Sequence, residues 1–208
     1  MAIISLKDLA FLNHQLSLPL SNAVTSTNSA QQRQFQLLVK QKRMGLNIQP
    51  LLNKPFSIWL EQLENFIPGI FDPRKKIYLH TKWQARLMLE SADYRLEVPI
   101  NAGVVKNKVR LYEWRIGSAD LIWSDRVKLW VACNYLQYPP EKLVIVICAF
   151  SGDRNGLVTK THWNERDYNA IEGELKLLLA EDTSKATSNS SEYPNYVFNI
   201  DKIEEVQI

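Results

Sequence analysis

The chain has 208 residues, 46% of them apolar, with six Trp, eight Tyr and seven Phe, enough to bury a core without disulfides or a structural metal. Its 25 basic and 22 acidic side chains leave a formal charge of +3, too small by itself to argue for a nucleic-acid partner. Cys133 and Cys148 lie in apolar runs without zinc or redox spacing and read as core thiols. His14, His80 and His162 share no ligand spacing, the seven glycines form no phosphate loop, and no GxSxG elbow is present, which sets aside zinc, dinucleotide and serine-hydrolase chemistry. The first residues carry Lys7, Asp8 and His14, unlike a signal peptide, and no apolar run approaches the roughly 20 residues that span a bilayer. A cytoplasmic protein with no membrane contact is expected.

In chain order, residues 1–27 begin with a short amphipathic stretch and pass into SLPLSNAVTSTNS, whose Ser, Asn and Thr favour turns. The spacing of Phe35, Leu38, Val39 and Met44 predicts a helix stopped by Gly45. A second helix is predicted with Pro55 in its first turn and Phe56, Trp59, Leu60, Leu63 and Phe66 on its apolar face, ending before Pro68-Gly69. In YRLEVPI, Tyr94, Leu96, Val98 and Ile100 alternate with polar residues and predict a half-buried strand, followed by a turn at Asn101 to Gly103. A second strand is predicted from about Val105 to Ile116, interrupted by Gly117-Ser118 and resumed in ADLIW, so that the two form a hairpin. After Asp125 a helix over VKLWVACNYLQY is expected, then a break at Pro139-Pro140, a buried strand in KLVIVICAF, and a closing helix capped by Asn164. The division expected is an N-terminal helix and loop (1–27), a single domain (28–180) and a polar, flexible tail (181–208), in which VFNIDKIEEV could add an edge strand. Helices around a hairpin and a buried strand imply an α/β (α+β) fold, with a mixed central sheet flanked by helices and an N-terminal helical segment.

The run GSADLIW resembles the second core strand of the RecB-like branch of the PD-(D/E)XK nucleases, and LWVACNYLQYPPEKLVIVICAFSGD resembles the helix, Pro-containing turn and core strand that follow the active site there. QFQLLVKQKRMGLNIQPLL is similar to the helical lead-in of bacterial members. The resemblance covers roughly residues 33 to 180 and implies a restriction-endonuclease-like core, DNA as substrate or ligand, and Mg²⁺ or Mn²⁺ if the protein is catalytically active. Phosphodiester hydrolysis needs hard oxygen ligands for the metal and a cation that positions or activates the attacking water. In the family an Asp on one strand is joined by Asp or Glu and a Lys, spaced D/E-x-K, on the next. Period two puts that pair on one face.

Asp120 stands where the metal-holding Asp is implied, but only a few residues separate it from the predicted helix, so the strand that should carry D/E-x-K is expected to be absent. The nearest substitutes are Asp125 with Lys128, spaced D-x-x-K, and Glu113 with Arg115, spaced E-x-R. For each, a surface charge pair is the simpler reading. The catalytic candidates are therefore Asp120, Asp125 and Lys128, and the metal candidates Asp120, Glu113 and Glu97. Gln36 stands where the lead-in helix of the family often has His, and Arg126 near the place of a common Gln. Basic residues concentrate in Lys40, Lys42, Arg43 and in Arg74, Lys75, Lys76. Two functions follow: a metal-dependent nuclease, or a non-catalytic descendant that binds nucleic acid or a protein partner, such as a larger repair complex.

Overall fold

The computed structural model describes residues 2–16, 29–89, 92–152 and 155–188. The six-stranded mixed sheet runs through β1 (Ala2–Ser5), β2 (Tyr78–Met88), β3 (Asp93–Val105), β4 (Val109–Ile116), β5 (Leu143–Phe150) and β6 (Leu157–His162). Among the described residues five α-helices accompany it: α1 (Leu6–Leu16), α2 (Ser29–Arg43), α3 (Phe56–Phe66), α4 (Trp123–Leu136) and α5 (Glu165–Ser188). β2, β3 and β4 form an antiparallel meander, β4 and β5 are parallel across α4, and β6 returns antiparallel on β5. The expected mixed sheet flanked by helices is thus present.

Period-two burial assigns the two faces. Leu96, Val98, Ile100, Val109, Leu111, Ile145 and Ile147 share a core with α1, α4 and α5, while Trp114, Val146, Cys148 and Phe150 pack against α2 and α3. β5 is buried at all eight positions, as a central strand covered on both faces must be. Cys133 and Cys148 are buried free thiols, both pushed up to about 12, chiefly by burial. No helix among the described residues is long and apolar enough to cross a membrane.

Several boundaries differ from the sequence reading. Asn101 to Gly103 continue β3, and the chain turns instead at Lys106 to Lys108. ADLIW is not a resumed strand: β4 ends at Ile116, just before Gly117, whose φ is +100°, and the chain runs through Asp120 into α4. β2, unassigned in the sequence reading, pairs with nearly the whole of β3. Four strands therefore precede α4, and no strand lies between Asp120 and that helix, as expected. The first residues join the sheet, β1 lying parallel to Tyr94–Glu97, and α5 continues past Ala180 to Ser188. The tail strand expected within VFNIDKIEEV lies outside the described residues. Gly45 with φ +78° ends α2 as expected, and Asn164 caps α5 by accepting the Asp167 N–H at 2.9 Å.

Candidate functional site at the fork of the sheet

β2 lines one edge of β3, and two strands share the other: β1 beside Tyr94–Glu97 and β4 beside Ala102–Val105. β4 follows β3 only from Val109 to Tyr112, then leaves it while its pairing with β5 continues to Ile116. The backbone groups freed at this fork need other partners. The Asn101 N–H donates to Glu113 Oε1 at 3.3 Å, and the Trp114 carbonyl accepts from Asn101 Nδ2 at 3.4 Å and from Gln32 Nε2 at 3.1 Å. Gln36 Nε2, one turn along α2 from Gln32, donates to Asn101 Oδ1 at 3.1 Å. Side-chain amides thus close what the ladder leaves open.

On the opposite face lies a ladder of charges. Glu113 and Arg115 share the α4 face with Val109 and Leu111 because alternate residues of β4 point the same way. α4 starts at Trp123, earlier than expected, so Asp125 and Lys128 are helical and three residues apart, one above the other. The two motifs meet crosswise. Lys128 Nζ donates to Glu113 Oε2 at 2.6 Å, and Arg115 Nη2 reaches both Asp125 oxygens at 2.7 and 2.6 Å. Asp125 Oδ2 also accepts the Ile122 N–H at 3.1 Å, which anchors the first turn of α4 where the helix dipole favours a carboxylate.

These are not surface pairs. Glu113 is 3% exposed, Asp125 1% and Lys128 9%, so the reading of two solvated charge pairs is overturned. Each pairing crosses between β4 and α4, with partners 10 and 15 residues apart, so neither shows in a short segment of the chain. Burial, the strongest influence, holds the Glu113 carboxyl above its ordinary value; nearby Asp125 pushes the same way, and Lys128 opposes them.

The remaining candidates lie elsewhere. Asp120 is exposed on the β4–α4 loop, where its carboxylate accepts the Ser118 hydroxyl and its carbonyl accepts Arg115 Nη1 at 3.3 Å. Glu97 falls on the other face of β3 from Leu96 and Val98 and is held by Lys82 at 2.5 Å and Gln84 at 2.8 Å, bonds that keep its carboxyl below the ordinary range. The implied metal set of Asp120, Glu113 and Glu97 is therefore not gathered. Among the described residues no three His, Cys, Asp or Glu side chains come close enough to hold a metal ion. Beside Glu113-Trp114-Arg115 of β4, β3 places Asn101, whose N–H reaches Glu113. An amide is a weaker ligand than a carboxylate for Mg²⁺ or Mn²⁺, and each buried carboxylate already faces a cation, so these donors do not fit the ion as they stand. Asn101 and Gln32 had no local signal in the sequence. The strand pattern pointed to a turn at the former, and a polar residue on a helix is ordinary.

His80 adds a further polar group. Its φ of +47° interrupts the register, which passes from Leu79↔Ala102 to Thr81↔Ile100, opposite Asn101. The ring stands edge-on to Trp114 with centroids 5.5 Å apart, and burial first, then Lys40, lowers its pKa to about 4.

No family model matches this chain, and no curated protein matches it. Eight solved chains are similar in shape. The crystal structure of SSO0001 aligns with TM-score 0.45 and 12% identity over 94% of this chain and 80% of its own. A structure described as "Putative exonuclease" from Eubacterium rectale aligns with TM-score 0.44 and 9% identity over 84% of this chain and 77% of its own. Likeness of this degree leaves the chemistry to be argued from the site.

Proposed function

We propose that this chain is a non-catalytic, nucleic-acid-binding descendant of the RecB-like PD-(D/E)XK nucleases, in which the metal site has become a salt-bridged joint. The crossed pairs Glu113–Lys128 and Asp125–Arg115 carry the reading. A metal-dependent nuclease needs its carboxylates free to bind the ion and its cation free to face the scissile phosphate. Here the cations neutralise the carboxylates, and an amide occupies the neighbouring strand position. The joint instead fixes α4 to β4 and holds the fork in one shape. Magnesium or manganese then has no catalytic role.

The test is incubation of the purified protein with Mg²⁺ or Mn²⁺ and linear, nicked and single-stranded DNA, with binding measured in parallel at rising salt. Intact nucleic acid together with salt-sensitive binding is expected. Cleavage that disappears in Asp120→Ala would restore the metal-dependent nuclease. Salt-insensitive association, or none with any nucleic acid, would instead point to a protein partner, as in a repair complex.

A further inference from the structure

The basic clusters that stand out in the sequence are largely used inside the fold. Lys42 pairs with Glu64 at 3.1 Å and lies over the Phe71 ring, Arg43 donates to the carbonyls of Ile70, Asp72 and Lys75, Arg74 pairs with Asp72, and Lys75 donates to the Pro68 carbonyl. Other exposed cations are scattered, Lys40 and Lys76 among them, but four come together at one end of the sheet. Lys106 and Lys108 form the β3–β4 turn, Arg110 follows on β4, and Lys142 ends the turn before β5. The register Val109↔Leu143 sets Lys108 beside Lys142, and the Tyr138 hydroxyl donates to the Lys106 carbonyl at 2.8 Å, tying the end of α4 to the same turn. Among the described residues none of these four side chains has an ion pair or hydrogen bond, and Glu141 is the exposed acid beside them.

Aromatic rings border this basic end. Tyr135, 50% exposed, stacks on buried Trp83 with centroids 5.6 Å apart and an interplanar angle of 17°. Tyr78, 36% exposed, meets the same Trp83 edge-on at 6.0 Å and pairs with Gly103, three residues before Lys106. Gly103 makes room for that ring, since a Cβ there would sit 3.1 Å from Trp83 Cη2. The outward face of Tyr135 is therefore rigid, backed by a second ring and open to solvent.

We propose that this end of the sheet binds single-stranded nucleic acid, with Lys106, Lys108 and Lys142 on the phosphates and a base stacked on Tyr135. The inference rests on the nucleic-acid-binding reading above and places the contact away from the fork. Unpaired cations supply charge complementarity to a phosphate backbone, and a solvent-facing ring accepts a base face of any sequence. A duplex keeps its base faces stacked on one another and cannot use the ring, so the surface favours the single strand.

The test is fluorescence anisotropy with a labelled thymidine oligonucleotide and a duplex of equal length. The wild type should prefer the single strand. Lys106→Glu/Lys108→Glu should weaken that binding about tenfold or more and flatten its salt dependence, since each lost phosphate contact lowers the slope by about one. Tyr135→Ala should weaken it about tenfold and Tyr135→Phe much less, because the stacked ring and not the hydroxyl makes the contact. Lys7→Glu, the same charge change on α1, should leave it unchanged. Single-strand binding that survives both the double charge reversal and Tyr135→Ala overturns this surface while leaving nucleic-acid binding intact. Absence of any binding by the wild type overturns the underlying reading as well.

Discussion

At the scale of the residue, Glu113 shows how a charge is tolerated in a core. Removing an ion from water costs several kcal/mol, and only a close, well-placed counter-charge offsets it. Lys128 supplies one at 2.6 Å. Lys128→Met should therefore lower stability by about 3–5 kcal/mol in denaturant unfolding, because it leaves Glu113 buried and alone. Glu113→Gln/Lys128→Met should recover most of the loss, which a double-mutant cycle would resolve. The penalty also carries a pH sign. A carboxyl whose folded pKa lies above its ordinary 4.5 contributes stability at acid pH that is lost as pH rises toward the folded value, so Lys128→Met should be most damaging at alkaline pH and least near 4.5. A penalty independent of pH would show that Glu113 carries no buried charge. Glu113, Arg115, Asp125 and Lys128 were all visible in the sequence as two spaced motifs. Their crossing was not, because it depends on where α4 begins, and Asp125 lies in its first turn.

At the scale of the element, the fork arises from strand lengths and from one irregular pair. β3 is 13 residues long and β4 only eight, so β4 can follow one end of β3 and then turn to β5. His80 and Asn101 face each other at the point where the β2–β3 register is interrupted. Because burial holds the His80 pKa near 4, below the ordinary 6.5, the neutral ring contributes stability above pH 6.5 that is lost as pH falls toward 4. Asn tolerates a positive φ, so His80→Asn removes the titration without forcing the backbone. Melting temperatures of the two proteins, compared across that pH range, should diverge in the acid limb, the wild type losing more; parallel curves would contradict the assigned burial. The alternation in YRLEVPI made β3 legible, and the apolar run of β5 did the same for its centre. β2 was harder to read because His80 breaks its rhythm and Lys82, Gln84 and Arg86 occupy its other face. The true turn at Lys106–Lys108 was hidden by Asn101–Gly103, whose composition suits a turn although its backbone is extended within β3.

At the scale of the whole molecule, charge is sorted by use. Cations close to one another in sequence, such as Lys42 and Arg43, tie α2 to the chain around Phe71, whereas Lys108 and Lys142 meet only through the parallel pairing of β4 and β5. Fold class was legible because hydrophobic period survives from sequence to sheet. The site was legible only in its parts, because ion pairs between elements depend on register. Those pairs leave the carboxylates of the fork committed to protein cations, and the most direct measurement of that is calorimetric titration of Mn²⁺ into the wild-type protein and Glu113→Gln. No stoichiometric binding by either protein is predicted. One bound Mn²⁺ per wild-type chain, lost in Glu113→Gln, would contradict the account.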